Sequence, residues 1–222
     1  MHCRRPVIVA ALWSCLAVLA VPMSAAASYI ELIDGDLSGN YLSPTSVALL
    51  PNGSTTVSGT IAGAGAGVST DLDYFTVTVP AGQVLSSLFV RSGTTSGGAI
   101  GSFIGIFPGA TATNPAITTS SDLLGYYLYR QANINTDILD DIGTFNFNGT
   151  NPSQGFVPPL LANDYTFWIQ EGANGTFSYN FELVLTQAVP EPATATLLLT
   201  ALGVLAVRRR TTGPRVTSRK LR

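Results

Sequence analysis

The chain has 222 residues, and the segment between residues 28 and 189 contains no cysteine, no histidine and no lysine. Both cysteines and the one histidine fall within the first 15 residues, and the one lysine is Lys220. The central segment therefore cannot supply a thiol nucleophile, a Ser-His-Asp triad, a Schiff-base lysine, a histidine-ligated zinc ion or a disulfide. The chemistry that remains uses carboxylates, either as a glycosidase pair or as calcium ligands.

Positive charge is also scarce in this segment. It holds twelve acidic residues and only two basic ones, Arg91 and Arg130, which gives a formal charge of −10. The formal charge of the whole chain, −2, conceals this because most basic residues lie near the two ends. A segment so acidic lacks the basic patch that phosphate contacts require, so we expect no nucleic-acid partner.

The N-terminus has the pattern of a secretory signal peptide. Two arginines precede an apolar run over residues 7–21, and the small residues Ala25 and Ala27 follow it. We predict a signal helix in residues 1–27 and cleavage before Ser28. The alternative is an uncleaved anchor helix, but the run is short for a membrane span and a cleavage site follows it.

A second apolar run, Ala193–Val207, lies near the C-terminus. Its 15 residues are fewer than the roughly 20 that a membrane-spanning helix usually needs. Arg208, Arg209 and Arg210 follow, and the tail 211–222 adds four basic residues and no acidic one. The positive-inside rule keeps this tail in the cytoplasm, so we predict a short transmembrane helix with the central domain exported.

The residues before this run carry a resemblance. Val189, Pro190, Glu191, Pro192 and Ala193, followed by a short apolar helix and an arginine cluster, resemble the PEP-CTERM sorting signal of Gram-negative bacteria. The two prolines exclude helix at this step and keep the glutamate on an extended backbone.

This resemblance implies a route for the protein over residues 188–210. An exosortase, a membrane-embedded cysteine transpeptidase, would recognise the motif, remove the helix and the basic tail, and deliver the domain to the cell surface or the exopolysaccharide matrix. The same segment is also catalogued as an ice-binding protein C-terminal domain. The tail 211–222 is longer than is usual in that family. A single-span anchored protein with Pro-Glu-Pro as a linker is the alternative.

The exported domain, residues 28–187, has the pattern of an all-β protein. Apolar and polar residues alternate in Asp73–Val79, Tyr165–Gln170 and Phe177–Thr186, and the last two are predicted to form a hairpin through "EGANG". Seven more candidate strands are rich in β-branched or aromatic residues: 29–33, 47–50, 55–61, 84–91, 100–107, 123–130 and 144–148. We predict an antiparallel β-sandwich, jelly-roll-like, with mobile surface loops at 62–71 and 146–160.

The segments "DLDYFTVTVPAGQ" and "LLANDYTFWIQEGANGTFSYNFELVLT" carry a second resemblance, to the bacterial pre-peptidase C-terminal type of β-sandwich. It frames residues 30–186 and implies a fold and a surface setting rather than an activity. Residues 91–156 depart from the compact form of that domain and are interpreted as an insertion.

Acidic residues offer the candidate sites. Asp71 and Asp73, two residues apart, could direct both carboxylates toward one calcium ion, and Asp34 with Asp36 forms another candidate pair. The alternative is that Asp-rich turns simply end strands and keep the surface soluble. A glycosidase would draw its acid and base from the following residues: Asp137, Asp140, Asp141, Glu171 and Glu182.

Aromatic residues offer a different kind of site. Trp168, with Tyr126, Tyr127 and Tyr129, could form a platform on which a sugar ring stacks. Packing inside the fold is the alternative, because aromatic side chains mostly fill the interiors of β-sandwiches.

These observations favour a non-enzymatic exported protein of the cell surface or extracellular matrix, associated with exopolysaccharide and carrying no obligatory cofactor. An exported hydrolase that uses only carboxylates is the first alternative. Ice binding is a further alternative, but the sequence lacks the regular threonine array that a flat ice-facing surface needs.

Overall fold

The structure is a computed structural model that describes residues 26–189. Residues 1–25 of the predicted signal helix, the sorting motif from Pro190 onward, the transmembrane helix and the basic tail lie outside the described residues. Ala26 and Ala27, predicted as the last residues of the signal helix, instead lie in a strand that pairs with residues 54–58. The strands are β1 (Ala26–Ile30), β2 (Thr45–Ser46), β3 (Ser54–Gly65), β4 (Val68–Ser69), β5 (Leu72–Val79), β6 (Gln83–Val90), β7 (Ser102–Pro108), β8 (Gly125–Tyr129), β9 (Asn146–Phe147), β10 (Asn151–Pro152), β11 (Asn163–Gln170) and β12 (Asn174–Gln187). Two short α-helices, α1 (Glu31–Asp34) and α2 (Leu139–Thr144), and two 3-10 turns, Ser120–Asp122 and Gln131–Asn133, complete the regular structure.

The strands form two five-stranded sheets and one small hairpin. Sheet A has the order β1-β3-β12-β6, with β4 also paired to β3, and sheet B has the order β2-β5-β11-β7-β8. Strands β9 and β10 pair only with each other. The predicted all-β class is confirmed, but the sheets are mixed rather than purely antiparallel, because β1 runs parallel to β3 and β2 runs parallel to β5.

One apolar core lies between the two sheets. Alternation along each strand directs one set of side chains inward, such as Phe75 and Val77 on β5 and Phe181 and Leu183 on β12. Phe75 stacks on Phe167 of the neighbouring strand β11, with ring centroids 4.8 Å apart. This stack joins two strands of sheet B, and the burial of inward side chains from both sheets in one core holds the sheets together.

The predicted hairpin between β11 and β12 is wrong. Strand β11 pairs with β5 and β7 in sheet B, whereas β12 pairs with β3 and β6 in sheet A. Residues 171–173 therefore carry the chain from one sheet to the other. Two adjacent alternating strands joined by a short turn favour a hairpin locally, but here each strand is held between other partners.

The carboxylate of Glu171 holds this crossover in place. The side chain is 1 % exposed and accepts hydrogen bonds from Gly97 N at 3.0 Å, Ser102 Oγ at 2.5 Å and Ala173 N at 2.7 Å. The crossover passes directly over Gly63, where a Cβ atom would collide with the backbone oxygens of Glu171 and Ala173. The close approach of the two segments requires glycine at this position.

Two further expectations need correction. The segment interpreted as an insertion, residues 91–156, supplies β7 and β8 of sheet B, and its residues Ile104, Tyr129 and Ile142 lie in the shared core. The loop predicted at 62–71 is partly regular, because β3 continues to Gly65 and β4 pairs back onto it. The second predicted loop, 146–160, contains the β9–β10 hairpin.

Neither helix between residues 26 and 189 has the length and hydropathy required to cross a bilayer.

Replacing Glu171 with alanine tests the role of the crossover. Two backbone N–H groups and one hydroxyl would lose their acceptor in a buried position, so we expect a loss of about 3 kcal/mol or more in the free energy of unfolding. Urea unfolding followed by circular dichroism measures it. Glu182→Ala is the control, because its ion pair with Arg91 is 21–33 % exposed and contributes about 1 kcal/mol or less. Equal losses in the two variants would contradict the assignment.

Candidate functional site

An acidic cluster lies at one end of the core, between the two sheets. Asp73 is the second residue of β5, and its side chain points inward like those of Phe75 and Val77. Glu31 is the first residue of α1, directly after β1. One carboxylate oxygen from each of Glu31, Asp36 and Asp73 lies within 4.8 Å of the other two. Residues far apart in the sequence thus bring three carboxylates together.

The turn that carries Glu31 is fixed by the chain around it. Asp34 Oδ2 accepts a hydrogen bond from Ile30 N at 2.7 Å, which ends β1 and begins α1. Gly35 follows with a φ of 101°, a value that residues with a Cβ rarely adopt. The chain then reverses, so that Asp36 returns to the carboxylate of Glu31.

The carboxylate of Glu31 is well supplied with donors. Oε1 accepts from Tyr179 Oη at 2.6 Å and from Leu37 N at 3.2 Å, and Oε2 accepts from Thr60 N at 2.8 Å. The space for it exists because Gly59 has no side chain. A Cβ atom at this position would collide with Glu31 Oε2 and Tyr179 Oη. These contacts fix the position of one wall of the cluster.

The carboxylate of Asp73, unlike that of Glu31, lacks hydrogen-bond donors among the described residues. Its side chain is 0 % exposed, and among the described residues neither of its oxygens has a hydrogen-bond partner. Buried polar groups in folded proteins are almost always hydrogen-bonded, and buried charges are almost always paired. Asp73, which faces two other carboxylates, is an exception to this rule among the described residues.

Burial and neighbouring charge both act on Asp73. Burial, followed by the charges of Glu31 and Asp71, raises the pKa of the Asp73 carboxyl to about 8. Burial, together with the charges of Asp36 and Glu31, also raises the pKa of Asp71. The proton is retained because ionising Asp73 would place a further negative charge, without compensation, in a site of low polarity.

The protein provides no positive charge to balance this cluster within residues 26–189. Arg91 forms an ion pair with Glu182, and Arg130 donates from Nε to the carbonyl oxygen of Ile100. Neither arginine is among the charges that act on Asp73. A hard divalent cation prefers carboxylate oxygens and would supply the missing charge. The arrangement can therefore hold such a cation.

The predicted calcium pairs are rearranged in the structure. One member of each pair, Asp73 and Asp36, joins the cluster. Asp71 lies near enough to affect the pKa of Asp73 but is outside the group of three, and Asp34 is used in the turn. The third member, Glu31, was not among the predicted ligands. The three acidic residues within Glu31–Asp36 were the sequence signal for a metal site here. No local pattern shows which of their side chains face the core.

The predicted glycosidase acids are used elsewhere or exposed. Asp137 accepts from the backbone N–H groups of Leu88 and Leu139, and Asp140 and Asp141 lie in the exposed first turn of α2. Glu171 holds the crossover and Glu182 pairs with Arg91. Among the described residues, none of these five acids belongs to the cluster of Glu31, Asp36 and Asp73.

The four aromatic residues proposed as a platform do not share one face. Trp168 and Tyr126 lie on the outer side of sheet B, where they are 6 % and 5 % exposed and pack with Phe103. Tyr129 lies on the inner side against Phe181, and Tyr127 packs on Phe145. Consecutive residues of a strand point to opposite faces, so a run of tyrosines in β8 cannot form one platform. Packing describes Tyr127 and Tyr129, whereas Trp168 and Tyr126 pack together and also line an open cleft of about 510 Å³ on the outer face of sheet B.

An open cleft of about 530 Å³ adjoins the acidic cluster. Glu31 and Asp36 line it, whereas Asp73 lies behind them. Its other wall is the outer face of sheet A, including Thr60 and Asn180. A cation at the cluster would therefore be held from inside the fold and accessible from outside.

The acidic cluster predicts a pH dependence for the metal-free protein. An aspartate ionises near pH 4 when unfolded, but Asp73 does so near pH 8 when folded, so the folded state binds more protons in between. The stability that this proton provides is full below pH 4 and is lost as the pH rises to 8, by about 1.4 kcal/mol per pH unit at most. With a chelator present, the Tm should fall between pH 5 and pH 8.

Asp73→Asn is the control for this prediction, because it keeps the shape of the side chain and removes its titration. The variant should have a flatter Tm profile than the wild type over the same range. A wild-type Tm that rises from pH 5 to pH 8 in chelator would contradict the assignment.

No family model matches the chain, and neither a curated protein nor a solved structure was found to match it. The function proposed below therefore depends on the residues themselves.

Proposed function

We propose that this chain is a non-enzymatic exported protein of the bacterial cell surface or extracellular matrix, with a jelly-roll-like β-sandwich that is completed by a bound calcium ion. One observation carries the proposal: the buried, unpartnered carboxylate of Asp73 faces Glu31 and Asp36 at the open end of the core. The ion would be held by these three residues.

Calcium is favoured over other cations by the chemistry of the ligands. All three side chains offer oxygen, and the described residues contain no histidine or cysteine that would favour zinc or copper. Calcium tolerates irregular geometry with six to eight oxygens, whereas magnesium demands a near-ideal octahedron. An exported module can use a weak site, because extracellular calcium modules bind in the range of about 10⁻⁴ to 10⁻³ M.

Export and sorting belong to the same proposal. The signal-peptide pattern, the Pro-Glu-Pro motif and the basic tail all direct the acidic domain outward. Strand β12 ends at Gln187, and Val189, the first residue of the motif, is 88 % exposed. The folded domain thus leaves the start of the motif accessible to an exosortase-type enzyme, with the short helix as a transient inner-membrane anchor.

The hydrolase alternative has one observation in its favour. A carboxyl with a raised pKa beside another acid, as in Asp73 and Glu31, is a common arrangement for acid-base catalysis. Asp73 is 0 % exposed, however, and does not line the cleft. A substrate in the cleft would meet Glu31 and Asp36 but not Asp73, so a binding role is favoured.

Calcium should raise the Tm of the full chain, purified in mild detergent. At a free concentration about one hundred times its dissociation constant, the ion adds about 2.7 kcal/mol to the free energy of unfolding. This raises the Tm by roughly 5 to 10 °C for a domain of this size. Asp73→Asn should lose this response. In chelator at pH 8 the variant should melt at the same temperature as the wild type or higher, because a buried unpaired charge is removed.

Asp140→Asn provides the matched control, since Asp140 is exposed on α2 and should leave the calcium response intact. The calcium concentration for this test is 10 mM, about ten times the largest dissociation constant expected of such sites. A wild-type Tm that does not change at this concentration would refute the ion site.

The mass of the protein recovered from the cell surface tests sorting. We expect a mass below that of residues 28–222 by the segment that follows the Pro-Glu-Pro motif, with or without added glycan. Glu191→Ala should prevent this processing, and Glu182→Ala, within the folded domain, should not. A surface protein that retains its complete C-terminus would instead indicate a simple membrane anchor.

A further inference from the structure

The cleft beside the acidic cluster has the size and composition of a ligand site. Its volume of about 530 Å³ falls in the range of small-molecule pockets. The carboxylates of Glu31 and Asp36 form one end, and the side chain of Leu32, which is 95 % exposed, stands beside them. The remaining wall includes the neutral polar side chains of Ser58, Thr60, Ser178 and Asn180 on the outer face of sheet A, together with Ile30, Gly59, Gly93 and Tyr179.

These neutral side chains are arranged by strand pairing. Ser178 lies opposite Thr60, and Asn180 lies opposite Ser58, in the antiparallel register of β12 and β3. Within residues 26–189 the hydroxyl groups of Ser58, Thr60 and Ser178 make no hydrogen bond, although all three line the cleft. Hydroxyl groups that are accessible and unused can both donate and accept hydrogen bonds.

The charge of the cluster indicates which ligand would bind there. Three ionised carboxylates already exceed the double positive charge of calcium, so an additional anionic ligand would be repelled. Calcium nevertheless takes six to eight oxygens, more than three carboxylates provide when each binds through one oxygen. The open positions would face the cleft, because Asp73 lies on the inner side of the cluster. Neutral oxygens, such as hydroxyl groups, are the remaining candidates.

We infer that this cleft binds a neutral polysaccharide, with two vicinal hydroxyl groups of one sugar on the calcium ion and the same sugar or its neighbour against Thr60 and Ser178. Leu32 offers an apolar contact for the carbon face of the ring. The inference rests on the proposed function, because it requires the calcium ion, and it names the class of matrix component that the protein would hold.

Retention on immobilised polysaccharide tests the inference. The full chain in mild detergent is applied to beads carrying mannan, dextran or galactan, and to bare beads, in calcium or in chelator. We expect retention on at least one neutral polysaccharide in calcium, its loss in chelator, and recovery of the polysaccharide at unchanged length. Beads carrying alginate, an anionic polysaccharide, should retain less.

Two variants identify the cleft as the site. Thr60→Val with Ser178→Ala removes two hydroxyl groups and should weaken binding about tenfold, while the rise in Tm with calcium stays intact. Thr56→Val is the matched control, because Thr56 lies on the same face of β3 outside the cleft and should bind as the wild type does. Equal binding by all variants would overturn the inference.

The outcomes separate the inference from the proposed function. A calcium-dependent Tm without retention on any neutral polysaccharide would overturn the inference and leave the calcium site standing. Retention that survives the chelator, preference for alginate, or shortening of the polysaccharide would each overturn it as well. If calcium neither raises the Tm nor supports retention, both proposals fail.

Discussion

The buried carboxylate of Asp73 is the constraint on which this end of the molecule depends. It occupies an inward position of β5, where the alternation of the strand would otherwise place an apolar side chain. Glycine at position 59 makes room for Glu31, Tyr179 donates to Glu31, and Gly35 adopts a positive φ just before Asp36. These features raise the cost of ionising Asp73 unless a cation is present.

A second buried carboxylate shows what a purely structural acid looks like in the same fold. Glu171 is as buried as Asp73 but accepts three hydrogen bonds, and it holds the crossover between the sheets. Because burial is the same, the difference lies in the partners. A satisfied acid stabilises the fold by itself, whereas an unsatisfied one is retained at a cost that a ligand can offset.

Composition is consistent with the proposed ion site. A domain without lysine, histidine or cysteine depends on oxygen ligands for any metal chemistry, and its formal charge of −10 disfavours anionic partners. A calcium ion would reduce that charge where it is most concentrated. The unpaired hydroxyl groups beside the cluster then provide a neutral surface, in keeping with the neutral polysaccharide ligand that we propose.

The sequence by itself determined the class of fold and the excluded chemistries. Alternation identified β5, β11 and β12, since the period of a strand is visible in any sequence that buries one face. The sorting and signal motifs are likewise local patterns. Only the tertiary structure decided that β11 and β12 belong to different sheets, because alternation shows which residues share a face but not which strand lies alongside. For the same reason the sequence suggested Asp71 with Asp73, neighbours in the chain, whereas Asp73 meets Glu31 and Asp36 across the space between the sheets.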